Sequence, residues 1–121
     1  MNLQKLCNDL KINLYSNLGD KKPLWKTIPN HKHYNCKITR GNKSYNVDYW
    51  SSREPTTTDV IYSLAMEAMR GEYSFEDFCS EFGYNSDSIQ DHKIWETCVE
   101  TRWELSKFLG NHYKDFIKAF C

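Results

Sequence analysis

His31, His33 and Cys36 follow an H-x-H-x₂-C spacing, and imidazole and thiolate are the ligands zinc prefers. A structural zinc site needs a second ligand pair, and none stands nearby. If residues 33–36 form a strand, His33 and Cys36 point to opposite faces, because side chains alternate with a period of two. Oxygen donors gather again in Asn85-Ser86-Asp87-Ser88 and at Asp91. This stretch lacks the glycine of the sharp turn and the twelfth-position acid of a calcium loop. Ser86 and Asp87 read instead as N-caps of the helix that follows. The expectation is no metal and no cofactor.

Nucleophilic catalysis needs a nucleophile, a base and a group that orients the base. The chain contains no G-x-S-x-G elbow and no S-x-x-K, and Gly41 stands alone rather than in a phosphate-cradling loop. Glu76, Asp77 and Glu81 cluster, but acids in the first turn of a helix complement its dipole and face water. No catalytic residue is expected, and the chain reads as a non-enzyme.

Two charged sets remain. Glu96, Glu100 and Glu104 fall at i, i+4 and i+8, which lines three carboxylates along one side of a helix. Like charges at this spacing cost roughly 0.2–0.5 kcal/mol per pair, so either neighbouring cations offset them or a basic partner meets them. Lys37, Arg40 and Lys43 alternate with Tyr34, Tyr45, Tyr49 and Trp50, a pattern suited to holding phosphate and stacking bases. The plainer reading is that some rings face a core while the lysines guard sheet edges. The sets belong to opposite halves of the chain. Residues 1–53 carry ten Lys/Arg against three Asp/Glu (net +7), and residues 54–121 carry six against thirteen (net −7), although the whole chain is neutral. Such asymmetry points to charged partners.

The elements that must position these groups are legible from periodicity. Leu3, Leu6, Cys7, Leu10 and Leu14 recur at helical spacing, with Gly19 as the stop. Residues 20–30 are polar and carry Pro23 and Pro29, which suggests a linker. Residues 33–50 alternate as two strands around Gly41-Asn42, the signature of a tight hairpin. Thr57 or Thr58 is expected to cap a helix that ends at Gly71. Ser74 opens a short helix carrying Phe75, Phe78, Cys79 and Phe82, closed by Gly83. A long helix follows, starting near Ser86 or Asp87, with Trp95, Cys98, Val99, Leu105 and Leu109 inward and Trp103 and Phe108 on its flanks. Gly110 ends it, and a last amphipathic piece carries Tyr113, Phe116 and Phe120. The expected fold is α+β: a two- or three-stranded antiparallel sheet on four or five helices, one of them long. It is read as one domain over residues 1–121, with residues 1–30 an N-terminal extension. Rings make up 15 % of the residues, so the core should be built from few, large side chains. The five cysteines are odd in number and have no CxxC spacing, which favours reduced, buried thiols. Residues 1–10 do not read as a secretory signal, and no apolar run is long enough to span a bilayer. The expected location is a cytoplasm.

The block Phe75-Glu76-Asp77-Phe78-Cys79-Ser80-Glu81-Phe82-Gly83-Tyr84-Asn85-Ser86-Asp87-Ser88, with His33-Tyr34 and Pro55-Thr56 upstream, resembles a family of small proteins encoded by bacteriophages and other mobile elements. The resemblance runs over roughly residues 33–110. Asn85 replaces the family's usual Asp, and Ile89 stands where a basic residue is common. It carries over no activity. It implies a setting, the cytoplasm of a bacterial host. In that setting the expected role is a phage-encoded interaction protein that binds and inhibits a host protein or ribonucleoprotein complex, such as a CRISPR effector or another defence nuclease. The alternative read from the residues is a small nucleic-acid-binding module using the hairpin. No membrane partner is expected.

Overall fold

The computed structural model describes residues 3–22 and 29–118. The fold is α+β, and the chain divides into two compact units, residues 1–62 and residues 63–121. The division nearly coincides with the change of charge. The first unit holds ten Lys/Arg and five Asp/Glu (net +5), and the second holds six and eleven (net −5).

The first unit begins with a helix, α1 (Leu3–Asp9), and a three-stranded antiparallel sheet in the order β1 (Asn13–Leu18), β2 (Lys32–Arg40), β3 (Lys43–Ser51). The helix expected to run through Leu14 therefore stops early, and the residues that follow are a strand. The cause is a Schellman ending without glycine. Lys11 adopts φ 55°. The Ile12 N–H donates to the Cys7 carbonyl (3.0 Å) and the Lys11 N–H to that of Asn8 (3.1 Å). Ile12 and Cys7 are both buried, which supplies the apolar contact such endings favour. Gly19 is not a helix stop. It follows β1, its N–H donates to the His33 carbonyl (2.9 Å), and a Cβ there would run into the His33 ring and the Asn35 amide.

The hairpin forms as expected. Arg40 pairs with Lys43 across Gly41-Asn42, and Gly41 supplies φ 61°. Tyr34, Cys36 and Ile38 of β2 are buried together with Leu6, Cys7, Ile12, Val60 and Ile61, the apolar interior of this unit.

Helix α2 (Thr57–Arg70) is capped one residue earlier than expected, by Thr56. The Asp59 N–H donates to Thr56 Oγ1 (3.1 Å) and the Thr56 N–H donates to Asp59 Oδ2 (3.0 Å), a reciprocal pair that satisfies two otherwise orphaned donors. Helix α3 (Phe75–Phe82) starts at Ser74, whose Oγ accepts the Asp77 N–H, and ends at Gly83 with φ 75°. Helix α4 (Ile89–Leu109) is capped by Ser88, not by Ser86 or Asp87. Ser88 Oγ accepts the Asp91 N–H (3.2 Å), while the Asp91 carboxylate accepts the Asn85 N–H (2.8 Å). Asp87 sits in the preceding turn, its N–H donating to Asn85 Oδ1 (2.9 Å). After Gly110 a 3₁₀ turn (Gly110–His112) leads into α5 (Tyr113–Lys118). Phe120 lies outside the described residues.

The core of the second unit is a ring cluster. Phe78 is fully buried, stacked on Tyr84 (centroids 4.7 Å, 10°) and tilted against Phe82 (5.5 Å). Cys79, Ile94 and Cys98 complete the cluster, with Phe75 and Trp95 on its border. The buried side of α4 is Ile94, Cys98, Thr101, Leu105, Phe108 and Leu109. Trp95 and Val99, expected inward, are half-buried, and Phe108, expected on the flank, is core. A Cβ at Gly71 would collide with the Cys98 carbonyl, so α2 meets α4 where only glycine fits. Phe78→Ala removes the centre of the cluster and is expected to cost about 3–5 kcal/mol, read as a lower denaturation midpoint. An unchanged midpoint would contradict this placement.

Candidate functional site

The chemistry-bearing side chains fall into four places, and each restricts what it can do. The first is the end of the sheet. His33 is buried, and both of its ring nitrogens are engaged. The Lys21 backbone N–H donates to Nδ1 (3.1 Å), so Nδ1 is the acceptor and Nε2 carries the proton that it gives to Asp48 Oδ1 (2.8 Å). Lys21 Nζ holds the other carboxylate oxygen at 2.7 Å, and Trp50 Nε1 donates to the Lys21 carbonyl (3.0 Å) with its indole 5.2 Å from the imidazole. Burial works to raise the Asp48 pKa, but the hydrogen bonds from Lys21 and His33 and the charge of Lys21 outweigh it and hold the carboxyl below its ordinary value. A histidine with neither nitrogen free is a structural tie, not a base or a ligand. His31 is exposed, Cys36 points to the other face, and among the described residues no three His, Cys, Asp or Glu side chains gather as a metal site.

The second place is the hairpin. The register separates the three basic residues expected to act together. Lys37 projects from the open face of the sheet, with Thr39 and Asn35. Arg40 and Lys43 alternate onto the opposite side, which also carries Tyr34, Tyr45 and Tyr49. Tyr34 is 7 % exposed and belongs to the core. The rings that share the open face are Trp50, already occupied, and Tyr15 of β1, which is 62 % exposed and lies directly across from Lys37.

The third place is the outer side of α4. Glu96 and Glu100 are exposed, and Glu104 is half-buried. Glu96 pairs with His92 (2.8 Å), and Glu104 lies 3.8 Å from Lys107. Glu100 has no ion pair among the described residues. Arg102 turns away to Glu72 (Nε to Oε1, 2.8 Å), an ion pair in which the Nε–H is not aimed at the oxygen. Trp103, expected on the flank, is 58 % exposed, with Lys107 Nζ 5.9 Å from its ring centre. Beside it lies an open groove of about 530 Å³, bounded by Glu72, Arg102, Trp103, Ser106, Tyr113 and Lys114 among others. The Tyr113 hydroxyl donates to Glu72 Oε1 (3.0 Å). Burial and this bond push the phenol upward, so it stays protonated and cannot serve as a base near neutrality. Glu76, Asp77 and Glu81 are exposed on α3, as first-turn and surface acids ordinarily are.

The fourth place is the crossing of α2 and α4, which sequence reasoning passed over. Glu67 is pushed from 4.5 to about 7 by burial, only partly offset by Thr101 and by the charge of Arg70. The Arg70 guanidinium lies 4.8 Å over the Phe82 ring, and its Nε is buried without a hydrogen-bond partner. The only sequence signal was an acid four positions before the glycine of the close approach. The four described thiols are free and buried. Burial raises Cys7 and Cys36 to about 11 and Cys98 to about 12, with Asp48 adding to the effect at Cys36 and Glu67 at Cys98. Cys121 lies outside the described residues.

No family model, curated protein or solved structure matches this chain.

Two outcomes follow from the buried groups. Between about pH 4.5 and 7 the unfolded chain releases the Glu67 proton while the folded chain keeps it, so this residue's contribution to stability falls as pH rises through that window. Glu67→Gln should therefore gain on the wild type with pH, by up to roughly 3 kcal/mol at pH 8 and close to nothing at pH 4.5, in denaturant titrations. A gain that does not change with pH would show that Glu67 is not the cause. In a Cys121→Ser variant, a thiol reagent at pH 8 should find no fast-reacting cysteine in the native protein and four after denaturation. One or more reacting at once would contradict their burial.

Proposed function

We propose that the chain acts without catalysis, by docking a basic host protein on the outer side of α4 and so blocking it. The partner class is a nucleic-acid-handling protein or ribonucleoprotein complex of a bacterium, such as a defence nuclease of the CRISPR type. The observation that carries this reading is Trp103. An indole 58 % exposed stands on the same helix side as Glu96 and Glu100, so a ring and carboxylates are offered together. Its chemistry matches arginine, since a guanidinium stacks on an indole and pairs with a carboxylate in the same pose. Tryptophan and arginine are also the side chains that most often dominate interface energies, with surrounding charges adding steering and selectivity. The net −5 of residues 63–121 favours approach of a basic surface. The resemblance to phage-encoded proteins supplies the bacterial setting and the cytoplasmic location.

The test uses a defined probe first. A fluorescent arginine-rich peptide should bind the wild type more tightly than its lysine counterpart does. Trp103→Ala, and separately the triple reversal Glu96→Lys, Glu100→Lys, Glu104→Lys, should each weaken it about tenfold or more while circular dichroism stays unchanged. Capture from a bacterial lysate should then retain a nucleic-acid-handling complex on the wild type and lose it on both variants. Equal peptide binding by all three proteins would end the reading.

A further inference from the structure

We propose that the open face of the three-stranded sheet binds single-stranded nucleic acid, with Tyr15 as the stacking platform and Lys37 as the phosphate contact. This site lies in the first unit and does not depend on the role given to α4.

Every strand contributes to this face. Asn13, Tyr15 and Asn17 come from β1, Asn35 and Lys37 from β2, and Ser44, Asn46 and Asp48 from β3. All of them are exposed, whereas the opposite face carries the buried Tyr34, Cys36 and Ile38. An exposed polar face is the ordinary condition of such a sheet, and by itself it says nothing. The composition is what differs. Asparagine is disfavoured in strands, yet Asn17, Asn35 and Asn46 place one on each strand, adjoining one another through the pairs Asn17–Asn35 and Lys37–Asn46. No hydrogen bond engages these three amides among the described residues. Each amide offers two donors and one acceptor, which is the complement that base edges need.

The ring and the cation stand in the middle of this field. Tyr15 and Lys37 are direct cross-strand partners, so their Cα atoms are about 5 Å apart. A base laid on the Tyr15 ring brings its backbone within reach of the Lys37 ammonium, which has no ion pair among the described residues. Stacking on an exposed ring with a neighbouring cation is how sequence-tolerant single-strand binders work. The first unit's net charge of +5 adds attraction for a polyanion. A neutral glycan would use the ring and the amides but leave the lysine idle. A duplex keeps its bases stacked away from the tyrosine.

The experiment is fluorescence anisotropy with labelled 12-mers of thymidine and of uridine at about 50 mM salt, where phosphate contacts are strongest. The full chain should bind both with a steep salt dependence. Tyr15→Ala should weaken binding about tenfold and Tyr15→Phe should restore it. Lys37→Ala should flatten the slope of log K against log salt by about 0.7, the value for one phosphate contact on a single strand. Lys5→Ala on α1 should leave binding within twofold. No binding at this salt, wild-type binding by both Tyr15→Ala and Lys37→Ala, equal binding of the matching duplex, or binding to glycans in place of oligonucleotides would each overturn the proposal.

Discussion

Strand β2 has a partner on each side, and its two-residue alternation governs what the first unit can present. Tyr34, Cys36 and Ile38 must enter the interior together, because the pleat gives them one face and their burial holds the register. His33, Asn35 and Lys37 are then obliged to occupy the other face. A slip of one residue would exchange the two sets. The same alternation dismantles two groupings that look plausible along the chain. It separates His33 from Cys36, and it separates Lys37 from Arg40 and Lys43. His33 is buried although it belongs to the open face, because the segment after β1 crosses over it. That crossing needs a residue without a side chain at position 19 and a backbone donor at position 21.

The second unit answers to a different constraint, a close approach of α2 to α4 at Gly71, with aromatic rings filling the space beside it. Its helices α3 and α4 start at side-chain caps, and at Ser88 the Asp91 carboxylate also ties down Asn85 in the chain before it. At Ser74 and Ser88 these local bonds fix where each helix starts, so the burial of Phe78 or Ile94 does not have to. The outward side of α4 is thereby relieved of any packing duty. Its carboxylates are partly answered by His92 and Lys107, and its indole is exposed.

Much of this architecture was legible in the residues. The hairpin, the short aromatic helix and the long helix each combine a clear period with an obvious stop. Strand β1 was hidden because the signal that ends α1 is a lysine in the left-handed region, and because Leu10 and Leu14 continue a helical spacing by coincidence. With β1 hidden, Tyr15 could not be placed on any face, although it is the cross-strand partner of Lys37. The start of α4 was ambiguous because Ser86, Asp87 and Ser88 are all competent caps. The deciding feature is the partner three residues on: Asp91 stands at that distance from Ser88, as Asp59 does from Thr56. The inward side of α4 follows helical phase, which turns Phe108 into the core and leaves Trp95 and Val99 half-buried at its border. Thr101 and Ile94 share the phase of Cys98 and Leu105, whereas Trp103 does not.

Lys11 carries a consequence of its own. A side-chain-bearing residue held in the left-handed region stores about 1–2 kcal/mol that glycine would not. The strain sits at the single hinge between α1 and β1, and β1 is an edge strand paired on one side only. Local opening of the first unit should begin at this joint, with the helix and the edge strand peeling away as a pair before the hairpin yields. The amide protons of β1 would then exchange with solvent sooner than those of β2.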